Sequence, residues 1–223
     1  MKTIIASTLT TAVLLSTNLL AQEIDVKITN NTNGIYFTPL LVSAHPSTTT
    51  LFTTGDTAST HLQDMAEGGD ISGLAADLNG VNANSVEDPA GGLLAPGAST
   101  LTTLSMATEN SNLSIVAMML PTNDGFIALN DWNIPTTPGT YTININAYDA
   151  GTEANSELVA DIPADPGAKI GSGGSGVSSS IEGYVHVHRG TLGDSDTTGG
   201  KSDLVSAAHR WLNPVATISV TVK

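Results

Sequence analysis

The chain contains no cysteine, and this absence excludes several kinds of chemistry. Disulfide bonds, a thiol nucleophile, a thiolate zinc site and a lipid-modified cysteine are all impossible. Basic residues are scarce as well, since seven Lys and Arg residues stand against 21 Asp and Glu residues, which gives a formal net charge of −14. Because phosphate binding requires clustered basic side chains, the composition argues against nucleic acid or an anionic membrane surface as a partner. A cation is a more natural ligand.

After the N-terminal stretch, no apolar segment is long enough to cross a bilayer. Met1 and Lys2 precede an apolar stretch, residues 4–20, that several Ser, Thr and Asn residues interrupt, and Ala21 follows as a small residue. This order is typical of an export signal, so we predict a signal peptide over residues 1–21 and a secreted or periplasmic protein. The alternative is a membrane anchor, but the stretch is short and polar for a stable span. We expect residues 22–223 to form one domain.

Alternation of apolar and polar residues with period two is the strongest pattern in the rest of the chain. Such alternation is typical of a β-strand with one buried and one exposed face. A nearly unbroken apolar run, residues 113–120, predicts a central strand that is covered on both sides. The segments that alternate are residues 24–29, 142–147, 184–188 and 217–222, and residues 100–106 follow the pattern more weakly.

One helix is predicted from Thr60, because Thr60 and Gln63 have capping-box spacing and two glycines, residues 68–69, would end the helix. A second helical turn is expected near residues 74–78. The polar segment 130–133 is predicted to be a loop, in which Trp132 packs into the core or forms an exposed contact surface. Together these features predict an all-β fold, an antiparallel β-sandwich with a small helical insertion.

Three acidic residues follow predicted strands and are the best candidates for a binding site. Asp124 follows one apolar run, and Asp149 and Glu153 follow another, on either side of a turn at Gly151. Calcium prefers such oxygen ligands and tolerates irregular geometry. From the residues alone, a turn capped by Asp149 with a solvated Glu153 stays an alternative. Weaker candidates, as supporting or simple turn residues, are Asn123, Asp131 and Glu157.

A pair of histidines offers a different site. His186 and His188 are two residues apart on a predicted strand and therefore lie on the same face. Two imidazoles at this spacing can hold zinc or copper, with Glu182 or His209 as a third ligand, as in a transition-metal binder or a metal-dependent hydrolase. The alternative is a polar strand face whose imidazoles hydrogen-bond to neighbouring loops. We expect a binding module, and not an enzyme.

Short segments spread along the chain also match a known domain. The most specific is the Asp149-Ala-Gly-Thr-Glu153 segment downstream of Pro121-Thr-Asn-Asp124. With these segments the chain resembles the spondin domain, the N-terminal domain type of the F-spondin extracellular matrix proteins. Further matching segments are Tyr36-Phe-Thr-Pro39, His45-Pro46, Leu51-Phe52 with Gly55, Ala58-Ser59, Met65-Ala-Glu-Gly-Gly-Asp70, the strand from Glu182 to His188, Trp211 and Asn213-Pro-Val-Ala216.

The resemblance implies a C2-like β-sandwich that binds Ca²⁺ through Asp124, Asp149 and Glu153. Glu153 departs from the family pattern, in which aspartate is usual at this position, so the longer side chain must approach the ion differently. The absence of cysteine is a second departure, because animal members carry disulfides around this domain. The function implied is extracellular adhesion or interaction with a matrix or surface, with an unidentified extracellular protein or glycan as partner.

Overall fold

The computed structural model describes residues 22–163, 171, 176–196 and 199–223. The predicted signal peptide, residues 1–21, lies outside these ranges. No helix within the ranges is long and apolar enough to cross a membrane.

Strands dominate the described residues. Ten of them are present there: β1 Gln22–Asn30, β2 Tyr36–Phe37, β3 Leu41–His45, β4 Asn84–Glu87, β5 Ser99–Met106, β6 Asn112–Leu120, β7 Gly125–Asn133, β8 Gly139–Asp149, β9 His186–Val187 and β10 Ala216–Val222. Eight form a continuous antiparallel path in the order β4-β3-β6-β7-β8-β10-β1-β5, while β2 pairs with β6 and β9 pairs with β8. The sheet is nearly closed and sandwich-like, which confirms the predicted all-β, antiparallel class.

The two faces of the sheet are both covered by apolar side chains. In β6, Leu113 and Ile115 point into the larger core cluster, whereas Val116 and Met118 point into a second cluster beneath the helices. All nine residues of β6 are buried, as the unbroken apolar run predicts. The alternation in β10 is also confirmed, because its buried and half-buried residues follow each other with period two.

The helical insertion lies between β3 and β4. Its first helix begins one residue after Ser59, whose side chain accepts a hydrogen bond from the backbone N–H of Leu62 (3.1 Å). Thr60 is therefore the first helical residue and not the cap. Gly69 ends the helix in the left-handed region (φ 71°), as expected for a glycine at this place. The helices are α1 Thr60–Gly68, α2 Ser72–Gly80 and α3 Ser206–His209, and Val159–Asp161 forms a 3-10 turn.

Two sequence predictions about local structure are wrong. Residues 130–133 were expected to form a loop but are the end of β7, where Trp132 packs against the larger core cluster and Tyr141. The strand expected over residues 184–188 is shorter, and its exposure pattern breaks at Val187, which is 45% exposed while His188 is buried. The first prediction was wrong because it relied on the polar composition of residues 130–133. Asn and Asp residues can belong to a strand when neighbouring groups form hydrogen bonds with their side chains.

The aromatic cluster beside the β7–β8 end of the sheet is expected to carry much of the stability. Phe126 is fully buried, and its ring lies 5.3 Å from Phe52 and 5.7 Å from Tyr148. Phe126→Ala would leave a cavity there, so we expect a loss of about 3–5 kcal/mol in the free energy of unfolding, measured with urea. Leu101→Ala is the control, because Leu101 is 64% exposed. Equal losses in the two variants would contradict the assigned core.

Candidate functional site

The site lies where β7 begins and β8 ends. Gly125, the first residue of β7, pairs with Asp149, the last residue of β8, so Asp124 and Asp149 are at the same end of neighbouring strands. Both carboxylates are buried. Burial and, to a smaller extent, the negative charge of Asp149 together raise the pKa of Asp124 to about 6. The fold thus holds two acidic groups together out of contact with water.

The turn after β8 is tied to Asp124. Its Oδ2 atom accepts hydrogen bonds from the backbone N–H groups of Thr152 (2.8 Å) and Glu153 (3.0 Å). Within the same turn, Asp149 Oδ1 accepts from the N–H of Gly151 (2.9 Å). Gly151 has φ 68°, and a Cβ atom there would overlap the backbone of Tyr184, so the turn requires glycine. These contacts fix where the three predicted ligands lie.

The second carboxylate oxygen of Asp124 takes no part in these hydrogen bonds. Its Oδ1 atom is buried and has no hydrogen-bond partner in the described part of the chain. An unpaired buried oxygen that carries negative charge is costly, because neither water nor a donor offsets its desolvation.

Glu153 shows the same feature. The side chain is 7% exposed, and its Oε2 atom lacks a hydrogen-bond partner among the residues described. The pKa of Glu153 is raised to about 7, chiefly by burial and in addition by the charges of Glu67 and Asp124, while hydrogen bonds from the Gly176 backbone N–H and the Asn123 side chain act in the opposite direction. A Cβ atom on Gly176 would overlap the Glu153 carboxylate, so a glycine allows this close approach.

Asp149 also meets two residues from the segment around β9. His186 pairs with Asp149 in the sheet, and its Nε2 atom lies 3.4 Å from Asp149 Oδ1. In the portion of the chain that the structure describes, Asp149, Glu182 and His186 are the one group of three or more acidic or histidine side chains whose ligand atoms all lie within 4.8 Å of one another. Of the predicted trio, this group contains Asp149 alone.

The second histidine of the predicted pair has a different role. His188 is buried, and its Nε2 atom lies 3.8 Å from Asp149 Oδ2. Its Nδ1 atom accepts a hydrogen bond from the Gly190 N–H (2.9 Å), which places the proton of the neutral ring on Nε2. Burial lowers the pKa of His188, so the ring stays neutral. With a proton on Nε2 and Nδ1 already engaged, His188 offers no free lone pair to a metal.

The remaining candidates lie outside this cluster. The Nδ1 atom of His209 accepts from the Val205 N–H (2.9 Å), and Asp131 Oδ1 accepts from the Asn112 side chain (2.6 Å). The carboxylate of Glu157 accepts from the N–H groups of residues 192 and 193. None of these side chains belongs to the group of three described residues whose ligand atoms all lie within 4.8 Å of one another, so none adds a ligand atom there.

Comparison with known proteins agrees with this architecture. A family model described as Spondin_N matches residues 28–178. The chain belongs to the spondin N-terminal domain family. No curated protein matches the chain. The matched range of the spondin domain includes Asp124, Asp149 and Glu153, whereas Glu182 and His186 lie beyond it. The resemblance inferred from the short segments is confirmed at the level of the family.

The raised pKa of Asp124 predicts how the metal-free protein responds to pH. An acid with a higher pKa in the folded state than in the unfolded state stabilises the fold at low pH, and this contribution is lost as pH rises through about 6. We therefore expect Asp124 to lower the free energy of unfolding by about 1–1.5 kcal/mol between pH 5 and pH 8. Urea unfolding with a chelator present measures this loss.

The comparison with Asp124→Asn isolates the contribution, since asparagine keeps an oxygen acceptor but does not titrate. The loss in the free energy of unfolding between pH 5 and pH 8 should be smaller in this variant by about 1–1.5 kcal/mol. Asp56→Asn is the matched control, because Asp56 is exposed. A loss in Asp124→Asn as large as in the parent would show that Asp124 is ionised throughout this range.

Proposed function

We propose that the protein is an exported, calcium-binding spondin module that acts in attachment to an extracellular protein or glycan. The observation that carries the calcium proposal is the pair of buried oxygens without a hydrogen-bond partner among the described residues, Asp124 Oδ1 and Glu153 Oε2, with the charge of Asp124 acting on both Asp149 and Glu153. A divalent cation would offset the repulsion that Asp124 has with each of these two carboxylates.

The donor set fits calcium. Asp124, Asp149 and Glu153 supply carboxylate oxygens, which a hard cation prefers, and calcium accepts six to eight oxygen ligands in irregular arrangements. The bound ion would join the connection that precedes β7 to the turn that follows β8. In this proposal the ion holds the two connections together and neutralises their carboxylates. It does not need to activate water or to take part in catalysis.

The proposed attachment role depends on export and on the surface charge. The predicted signal peptide would bring the chain to the periplasm or outside the cell, where free calcium is plentiful enough to occupy sites of modest affinity. The net charge of −14 disfavours nucleic acid as a partner. Surface attachment through a protein or glycan is consistent with the spondin family and with a domain whose ion stabilises loops.

Calcium should stabilise the folded protein. Binding to the folded state alone adds about 2.7 kcal/mol at a calcium concentration 100-fold above Kd, which raises the Tm of a domain of this size by about 5–10 °C. Asp124→Asn should abolish this increase, because it removes the unpaired anionic oxygen. Differential scanning calorimetry with calcium and with chelator measures both proteins.

Asp56→Asn serves as the control for Asp124→Asn and should respond to calcium as the parent does. Elemental analysis of the purified protein should show stoichiometric calcium in the parent and the control. An unchanged Tm in the parent on calcium addition, or an equal increase in Asp124→Asn, would contradict the proposed site.

Export predicts a defined N-terminus. The protein recovered outside the cytoplasm should begin at Gln22, as read by intact mass and N-terminal sequencing, because Ala21 supplies the small residue before the cut. Ala21→Arg should reduce processing and leave the longer chain. Recovery of the parent only as the uncleaved chain in the cytoplasm would refute the predicted export.

A further inference from the structure

A second cation position can be assigned at Asp149 from observations that do not depend on calcium. Asp149, Glu182 and His186 direct ligand atoms to a region in which these atoms lie within 4.8 Å of one another. The three residues come from the end of β8, the segment before β9 and β9 itself. The sheet pairing of His186 with Asp149 fixes two of them.

The hydrogen bond of His186 defines the free atom of its ring. The Nδ1 atom lies 3.1 Å from the carbonyl oxygen of Val187, and a carbonyl can only accept, so Nδ1 carries the proton of the neutral ring. The lone pair is therefore on Nε2, which is buried and faces the Asp149 carboxylate at 3.4 Å. Two acceptors at this distance repel each other unless a cation lies between or beside them.

Glu182 supplies the third ligand atom. Its Oε2 atom is buried without a hydrogen-bond partner in the described ranges. The Asp149 carboxylate has further capacity, since a carboxylate has about four acceptor positions and the Gly151 N–H and the Asn155 side chain occupy two of them. Asp149, Glu182 and His186 thus each offer a free electron pair to the same region.

We propose that Asp149, Glu182 and His186 form a site for a divalent transition metal of the zinc class. The nitrogen ligand decides the class, because calcium prefers oxygen donors whereas imidazole suits zinc, cobalt, nickel and copper. The site differs from the one predicted from the sequence, because Asp149 takes the place of His188 beside His186 and Glu182. Its two ligands Glu182 and His186 lie outside the range that the spondin family model matches.

Three protein ligands leave a coordination position open in a tetrahedral ion. Asp149, His186 and His188 line one cavity, of about 320 Å³, together with Glu157 and Arg189. The Nε2–H group of His188 is buried without a partner in the residues described, so it can donate to an oxygen atom bound to the metal. The cavity therefore suits a water molecule as the fourth ligand.

A proton is the rival occupant. If His186 Nε2 were protonated, the ring would form an ion pair with Asp149, and no metal would be needed. The two possibilities can be distinguished by experiment. Only a bound metal ion gives coordination spectra, and only the binding of a metal ion depends on Glu182.

Cobalt(II) is a suitable probe, because its visible absorption and its paramagnetic NMR shifts report the ligands directly. We expect titration of the full mature protein with Co²⁺ to give one site, with a strongly shifted imidazole N–H resonance that comes from the Nδ1–H of His186. His186→Gln should lose this resonance and weaken Co²⁺ binding at least about tenfold, since even partners of metal ligands cost this much when removed.

Two further variants separate this proposal from others. Glu182→Gln should weaken Co²⁺ binding without unfolding the protein, which the Tm of the metal-free variant checks. His61→Gln is the matched control, because His61 is a partly exposed histidine on α1 that pairs with Asp77 and does not belong to the group of three, and this variant should bind Co²⁺ as the parent does.

The calcium proposal can fail independently. Asp124→Asn should lose the calcium-dependent rise in Tm and keep the Co²⁺ spectrum, whereas His186→Gln should do the reverse. The transition-metal site is refuted if Co²⁺ gives no shifted imidazole resonance in the parent, or if His186→Gln binds Co²⁺ with the affinity of the parent.

Discussion

The hydrogen bonds from the Thr152 and Glu153 backbone to Asp124 Oδ2 are the interaction on which the site depends. They join two connections that are 28 residues apart in the chain and hold the turn after β8 against the start of β7. Because the same carboxylate also lies beside Asp149, satisfying these N–H groups requires the fold to bury negative charge. The consequence is one end of the sheet where acidic groups are concentrated without an opposing lysine or arginine ion pair among the described residues.

Burying these acidic groups lowers the stability of the fold, and other contacts in the molecule must offset this loss. The two apolar clusters on the faces of the sheet provide the stability, and the aromatic contacts of Phe126 place part of it next to the acidic end. The pKa values of Asp124 and Glu153, raised to about 6 and about 7, show how strongly the site favours a positive partner, either a proton or a metal. In a spondin domain with no disulfide, a bound ion would also add a cross-link between connections that the chain otherwise joins only by hydrogen bonds.

The sequence predicted the regular parts of the fold well, because their signal is local. The alternation in β10 and the apolar run of β6 each follow directly from which face of a strand is buried. The prediction failed at Val187, because the short strand β9 ends within the segment that looked periodic and the chain then turns His188 inwards. It also failed at residues 130–133, where pairing with β6 outweighed a polar composition.

For the site, the sequence by itself determined the ligand chemistry: acidic residues follow strand candidates, no thiol exists, and a glycine lies in the turn between Asp149 and Glu153. Only the tertiary structure decided which of these groups meet. Glu182 and His186 reach Asp149 because β9 pairs with β8 across more than 30 residues of chain, and His188 is removed as a ligand because its Nδ1 atom accepts a hydrogen bond from the Gly190 N–H. Strand pairing is set by contacts between residues that are far apart in the chain, and the hydrogen bond of His188, although its partner lies two residues away, is visible only in the folded backbone.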